Sequence, residues 1–183
     1  MSSLPHPEHV LFQGEKPFPI LPAVDHYAGS EKLMRKALAL QQELGPVFDI
    51  TCDCEDGAHA GAEAAHAEMA AALVMSDENH FGRVGARIHD ITHPHWEQDV
   101  EILVSRAGRR LAFLTIPKPR SVADAARQIE SIRSAEERHG IEREIPVHVL
   151  IETHGALRDA WDIAALDRVE SLDFGLMDFV SGH

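Results

Sequence analysis

The stretch DITCDCEDGAHAG, Asp49 to Gly61, sets four carboxylates, Asp49, Asp53, Glu55 and Asp56, in and just after a run that otherwise reads as a buried strand. A buried carboxylate is costly unless a cation, a metal ion or hydrogen-bond donors meet it. Other strand-like runs also end in charged groups: Arg87, Lys118, Glu152 and Asp178. Strand alternation sorts these groups by face. Thr51, Asp53 and Glu55 share one face of their run, and Ile50, Cys52 and Cys54 the other. Gly85 and Arg87 likewise oppose Val84, Ala86 and Ile88, while His148, Leu150 and Glu152 oppose Val147, Val149 and Ile151. With the apolar sets packed on helices, the charged sets converge at the C-terminal ends of neighbouring strands. Such a cluster can hold a divalent ion, bind an anionic substrate and move protons. It can equally be a structural ion-pair network, Arg87 with Glu55 for example.

The elements that must position these groups follow from periodicity. FPILPAV, Phe18 to Val24, reads as a first strand. Ser30 can cap a helix with apolar positions at Leu33, Met34, Ala37 and Leu38, ended by Gly45-Pro46. VFDITCDC is strand two, followed by an Ala-rich helix from about Ala60 to Met75, and Gly82–His89 is strand three. Thr92 is expected to cap a helix carrying Trp96, Val100, Leu103 and Val104, closed by Gly108. Leu111–Pro117 is strand four, and SVAD at Ser121–Asp124 resembles a capping box opening a helix that buries Val122, Ala125, Ala126, Ile129 and Ile132 up to Gly140. Pro146–Glu152 is strand five, Leu157, Ala160, Trp161 and Ala164 mark the next helix, and VESLDFG, ending at Gly175, is strand six.

Six strands alternating with five helices fit a doubly wound sheet or a (β/α)8 barrel. The first strand lacks a Gly-rich phosphate fingerprint, which counts against a dinucleotide-binding sheet. A full barrel takes about 250 residues, and this chain has 183. The expected fold is therefore an α/β (β/α)8 TIM barrel truncated after strand six, with an irregular segment over 1–17 and a partial barrel over 18–183.

Lys and Arg number 17 against 30 Asp and Glu, a formal charge of −13, which repels a polyphosphate backbone and excludes nucleic acid as the expected partner. No secretory leader pattern or run of about 18 apolar residues is visible, which excludes the membrane. Cys52 and Cys54 lie on one face of one strand, poorly placed for bridging. They read as buried thiols of a cytoplasmic protein. Arg106–Arg120 concentrates five of the 17 basic residues; it could meet coenzyme A phosphates or be a solvated helix end. His89, His93 and His95 could hold zinc, but Pro94 points instead to a capped loop.

Five segments, in order, resemble the citrate lyase beta-chain and malyl-CoA lyase family, which also includes metal-dependent aldolases acting on 4-hydroxy-2-oxo acids. They are DCEDGA (Asp53–Ala58), ARIHD (Ala86–Asp90), TIPKPRS (Thr115–Ser121), LIETHGAL (Leu150–Leu157) and LDFGLMD (Leu172–Asp178). The resemblance implies a (β/α)8 fold and Mg2+ held by Glu152 and Asp178, 178 − 152 = 26 positions apart. It maps the family's substrate-binding arginine onto Arg87. Lys118 joins Arg87 as a candidate substrate-binding group. Arg87, Asp53 and Glu55 are the catalytic candidates, and Asp53, Glu55 or Asp56 could orient Arg87 or relay a proton. His89 stands where the family usually has Asn, and the residue after Lys118 is not the acidic one relatives often carry.

The activity implied is Mg2+-dependent carbon–carbon bond cleavage in a 3-hydroxyacyl-CoA such as citryl-CoA or malyl-CoA. Alternatives are hydrolysis of the same thioester, aldol cleavage of a free 4-hydroxy-2-oxo acid, and a catalytically silent subunit or binding module. The resemblance also implies a homo-oligomer, a trimer or hexamer.

Overall fold

The computed structural model describes residues 21–22 and 24–182. The irregular segment expected over 1–17, and most of the strand expected at Phe18–Val24, lie outside the described residues. Leu21, Pro22 and Val24 are not in a strand; the first strand is β1, Asp25–Ala28. Helices and strands then alternate: α1 (Glu31–Leu44), β2 (Asp49–Asp53), α2 (Glu63–Met75), β3 (Val84–Arg87), α3 (Trp96–Ala107), β4 (Leu114–Ile116) and α4 (Val122–His139). The described chain continues through β5 (Val147–Ile151), α5 (His154–Arg158), α6 (Ala160–Ala164), β6 (Val169–Phe174) and α7 (Leu176–Ser181).

The strands form one parallel sheet in the order β1-β2-β3-β4-β5-β6. Sequential order with a helical connection between neighbours is the wiring of a (β/α)8 barrel, whereas a doubly wound sheet permutes its strands. The register carries one face across the whole sheet: Tyr27 pairs with Thr51, Thr51 with Gly85, Asp53 with Arg87, Arg87 with Thr115, and Thr115 with His148. That face is the barrel interior. The opposite face, with Ile50, Cys52, Val84, Ala86, Leu114, Ile116, Val147 and Val149, is buried against the helices. Both cysteines are free and buried there.

Local chemistry explains the helices. Ser30 accepts from the Leu33 amide at 3.4 Å, and Met34, Ala37, Leu38 and Gln41 of α1 form the buried stripe. Ser121 caps α4 by accepting from the Asp124 amide at 3.3 Å, while Asp124 Oδ2 accepts from the Arg120 amide at 2.9 Å. Gly140, at φ 61°, ends this helix in the left-handed conformation that glycine adopts without strain. Two expectations need correction. Thr92 does not cap α3; its amide and hydroxyl both donate to Asp90 Oδ1 in a local turn, and α3 begins at Trp96. The helix after β5 breaks at Asp159, so Ala156 and Ile163 are buried while Leu157 and Trp161 are exposed.

The interior is filled by matched shapes. A Cβ at Gly85 would lie 2.7 Å from Cζ of Phe113, nearer still to other ring atoms, and that ring stacks on His148 with centroids 3.9 Å apart. Gly85→Ala is therefore expected to cost about 1–3 kcal/mol through overpacking. Urea denaturation would measure the loss, and Phe113→Leu should recover part of it.

Candidate active site at the barrel mouth

Arg87, at the end of β3 and 6% exposed, is the hub of the mouth. Its Nε and Nη2 donate to the two carboxylate oxygens of Asp53, its register partner on β2, at 2.8 and 2.7 Å. Nη2 also donates to Asp56 Oδ2 at 2.6 Å, and Nη1 lies 2.7 Å from Glu55 Oε2. The Tyr27 ring lies beneath, 5.4 Å from the guanidinium carbon. Asp53 Oδ1 accepts further from the amides of Glu55 and Asp56 at 3.1 and 3.3 Å. Both of its oxygens are thus committed to orientation. Asp49 belongs elsewhere: it pairs with Arg83, Nε to Oδ1 at 2.5 Å, at the opposite end of β2.

Lys118, just beyond β4, joins this cage to the second half of the mouth. Its Nζ donates to Glu55 Oε1 at 2.8 Å and lies 3.4 Å from Asp178 Oδ2. Its backbone amide donates to Glu152 Oε2 at 3.2 Å. Lys118 has φ 49°, a left-handed conformation that costs a non-glycine residue about 1–2 kcal/mol. One residue therefore contacts three carboxylates. Glu152 and Asp178 line a common cavity of about 410 Å³ with Asp90, Lys118, Arg120 and Thr153.

Glu152 sits over a glycine. A Cβ at Gly175 would lie 2.6 Å from the Glu152 carboxyl carbon and closer still to Oε1 and Cγ. The FG of the LDFGLMD motif thus leaves the space that the carboxylate fills. Burial pushes the Glu152 carboxyl up to about 7; Arg87 and Lys118 oppose this, and the negative charges of Glu55 and Asp178 add to it. Burial raises Glu55 as well, against the pull of Arg87 and Lys118. Around this mouth stand six carboxylates, Asp53, Glu55, Asp56, Asp90, Glu152 and Asp178, against three cations, Arg87, Lys118 and Arg120, among the described residues. Hard oxygen donors in negative excess suit a divalent cation.

Every charged residue singled out from the strand ends, Asp53, Glu55, Arg87, Lys118, Glu152 and Asp178, is in this one assembly. Among the described residues, the histidines of the run meet other partners. His89 Nδ1 is 2.6 Å from Asp99 Oδ2, His93 stacks on His89 at 4.0 Å, and His95 Nδ1 meets Gln98 Oε1 at 2.9 Å. Burial pulls the His89 pKa down, but the Asp99 hydrogen bond and charge outweigh it and leave it raised. The basic stretch divides. Arg106 meets Glu68, Arg110 donates to the carbonyls of Met75, Ser76 and Asn79, and Arg120 faces the mouth cavity.

A second hollow of about 440 Å³ lies below the mouth, lined by Asp25, Tyr27, Arg87, Leu150, Glu152 and Asp173. Asp25, Tyr27 and Asp173 were missed by the sequence reading. The strand period that exposed Arg87 would have found Asp25 and Tyr27 had β1 been placed at Asp25.

Residues 44–182 match the model of the HpcH/HpaI aldolase/citrate lyase family. The chain belongs to that family. It is 57% identical to a citrate lyase from Burkholderia xenovorans LB400, with TM-score 0.86 over 91% of this chain and 52% of that one. A citrate lyase beta subunit from Mycobacterium tuberculosis, complexed with oxaloacetate and magnesium, shares the fold at 18% identity, with TM-score 0.61 over 88% of this chain and 61% of that one. The L-malyl-CoA/beta-methylmalyl-CoA lyase of Cereibacter sphaeroides (strain ATCC 17025) is 28% identical over 99 residues, 54% of this chain. The chain spans 31% of that lyase's length.

A carboxyl held above its unfolded value lowers stability once the unfolded chain ionises. The folded chain keeps a proton from about pH 4.5 to about 7 that the unfolded chain has released, so this contribution to stability falls across that window as pH rises. In EDTA, stability by chemical denaturation should therefore drop relative to Glu152→Gln between pH 4.5 and 7.5, by up to about 3 kcal/mol. A pH-independent difference would show that Glu152 titrates normally.

Proposed function

We propose that this chain forms the catalytic mouth of a Mg2+-dependent carbon–carbon lyase acting on a 3-hydroxyacyl-CoA such as malyl-CoA or citryl-CoA. The observation that carries the reading is the pairing of Glu152 and Asp178 on one cavity wall, each tied to Lys118, with the Arg87 cage adjoining. Family membership and the likeness to the Burkholderia citrate lyase support it.

The residues divide the work by chemistry. Glu152 and Asp178 would hold Mg2+, which when bound supplies Lewis acidity toward a substrate carboxylate and its neighbouring oxygen. As a base takes the substrate hydroxyl proton, the C–C bond breaks, a carbonyl forms on one fragment and the acyl thioester leaves as its enolate, to be protonated to the free thioester. Arg87, its fork held by Asp53, would set its permanent charge and the uncommitted N–H of Nη1 against that developing negative charge. Asp53 and Glu55 hold that fork in one plane, so it needs little reorganisation during the reaction. Lys118 offers its ammonium to a substrate carboxylate and screens Glu55 from Asp178. The committed oxygens of Asp53 favour positioning over proton transfer for that residue.

Product analysis tests the reading. The chain incubated with malyl-CoA and with citryl-CoA should release acetyl-CoA with Mg2+ and none with EDTA. Free CoA in place of acetyl-CoA would indicate thioester hydrolysis, and no turnover of either would favour a free 4-hydroxy-2-oxo acid or a silent module. Arg87→Lys, which keeps the charge but loses the fork, should lower kcat/KM at least 100-fold. Asp178→Asn should abolish the Mg2+ dependence of whatever rate remains.

A further inference from the structure

The hollow beneath the mouth holds a second group of ligand-bearing side chains that the lyase reading does not use. Asp25 opens β1, His148 lies on β5 and Asp173 on β6. The curvature of the sheet brings its two edge strands together here. One ring nitrogen of His148 and one carboxylate oxygen from each aspartate lie within 4.8 Å of one another.

These groups are poorly satisfied. Asp25 accepts from the Thr51 hydroxyl, 2.7 and 2.8 Å from its two oxygens, and Asp173 Oδ1 accepts from Ser171 at 3.2 Å. Among the described residues, Asp173 Oδ2 and His148 Nδ1 are buried without a hydrogen-bond partner, and so is the Tyr27 hydroxyl in the same hollow. His148 is 4% exposed. Its ring is fixed by stacking on Phe113 and by Nε2 at 3.3 Å from Glu170 Oε2. Among the described residues, neither aspartate is ion-paired to a Lys or Arg, although Arg87 lines the same hollow, and His148 acts favourably on both carboxyls. Burial raises both carboxyls, Asp25 to about 6, and their mutual repulsion adds to the rise at Asp25. Two facing carboxylates with no ion-paired Lys or Arg among the described residues, beside an imidazole with an unpartnered nitrogen, are an arrangement that a metal ion completes.

We propose that Asp25, His148 and Asp173 bind a divalent first-row transition-metal ion, of the Mn2+, Co2+ or Zn2+ type, inside the barrel. An imidazole nitrogen with two carboxylates suits such ions, whereas Mg2+ favours all-oxygen surroundings. Donors at roughly 2.0–2.2 Å from an ion stand about 3–4 Å apart, so side-chain rotation closes the set. The remaining hollow, with Tyr27 at its wall, leaves room for water in the open positions. The hollow is walled in part by Arg87 and Glu152, but the three proposed ligands are other residues and the site does not depend on the proposed reaction.

Cobalt provides the test, since its visible absorption reports nitrogen and oxygen ligation. In EDTA-stripped chain carrying Glu152→Gln and Asp178→Asn, which removes the mouth carboxylates, Co2+ should still bind at one equivalent and raise the melting temperature. Adding Asp25→Asn with Asp173→Asn should weaken that binding at least 100-fold. Adding His148→Gln instead, which preserves side-chain size and polarity, should weaken it about 10- to 100-fold and shift the absorption band. Circular dichroism would verify that each variant folds. Absence of Co2+ binding in the mouth-free background, or binding unchanged by the chamber substitutions, overturns the proposal. In either case, acetyl-CoA release by the unsubstituted chain is judged separately.

Discussion

The mouth depends on one buried guanidinium. Asp53 and the Glu55 carboxylate are removed from water; without Arg87, Asp53 would be an uncompensated charge and Glu55 would be left to Lys118 alone. Breaking such a pair typically costs about 3–5 kcal/mol, much of it the penalty left on the surviving partner. Arg87 can serve three carboxylates because its donors spread in a plane, and Tyr27 supports that plane from below. Lys118 extends the network to the far wall, and it does so from a backbone conformation that side-chain-bearing residues avoid. Strain of this kind persists only where surrounding contacts over-determine it.

Much of this site was legible because strand alternation is rigid. Once Ile50, Cys52 and Cys54 face the helices, Asp53 and Glu55 must face inward, and the same rule places Arg87 and Glu152. Parallel pairing then aligns Asp53 with Arg87 without further information. The features that escaped lack a local signal. β1, with the sequence DHYA, is short and polar, and the apolar run preceding it drew the strand assignment away. Thr92 looked like a helix cap because caps and Asx turns use the same side-chain chemistry. Leu157 and Trp161 suggested a buried stripe, but the break at Asp159 rotates the chain and leaves both exposed. The meeting of Asp25 with Asp173 depends on how far six strands curl, which no neighbouring residues encode.

Charge in the interior is graded by what meets it. At the base, Asp49 has Arg83. At the top, Asp53, Glu55 and Asp56 share Arg87, and Glu55 and Asp178 share Lys118. Among the described residues, Asp25 and Asp173 have hydroxyl donors and an imidazole as partners, with no ion-paired Lys or Arg. The same barrel wall thus carries neutralised carboxylates next to under-neutralised ones, and the latter are where perturbed acidity concentrates.

The contact between Gly175 and Glu152 has a mechanical consequence. Gly175 immediately precedes α7, which carries Asp178, so the seat of one carboxylate and the mount of the other are the same short length of backbone. A tilt or slide of this last helix would loosen or tighten both sides of the grip together. Opening and closing of the mouth would then be a concerted movement of one segment, with no separate adjustment of each acid.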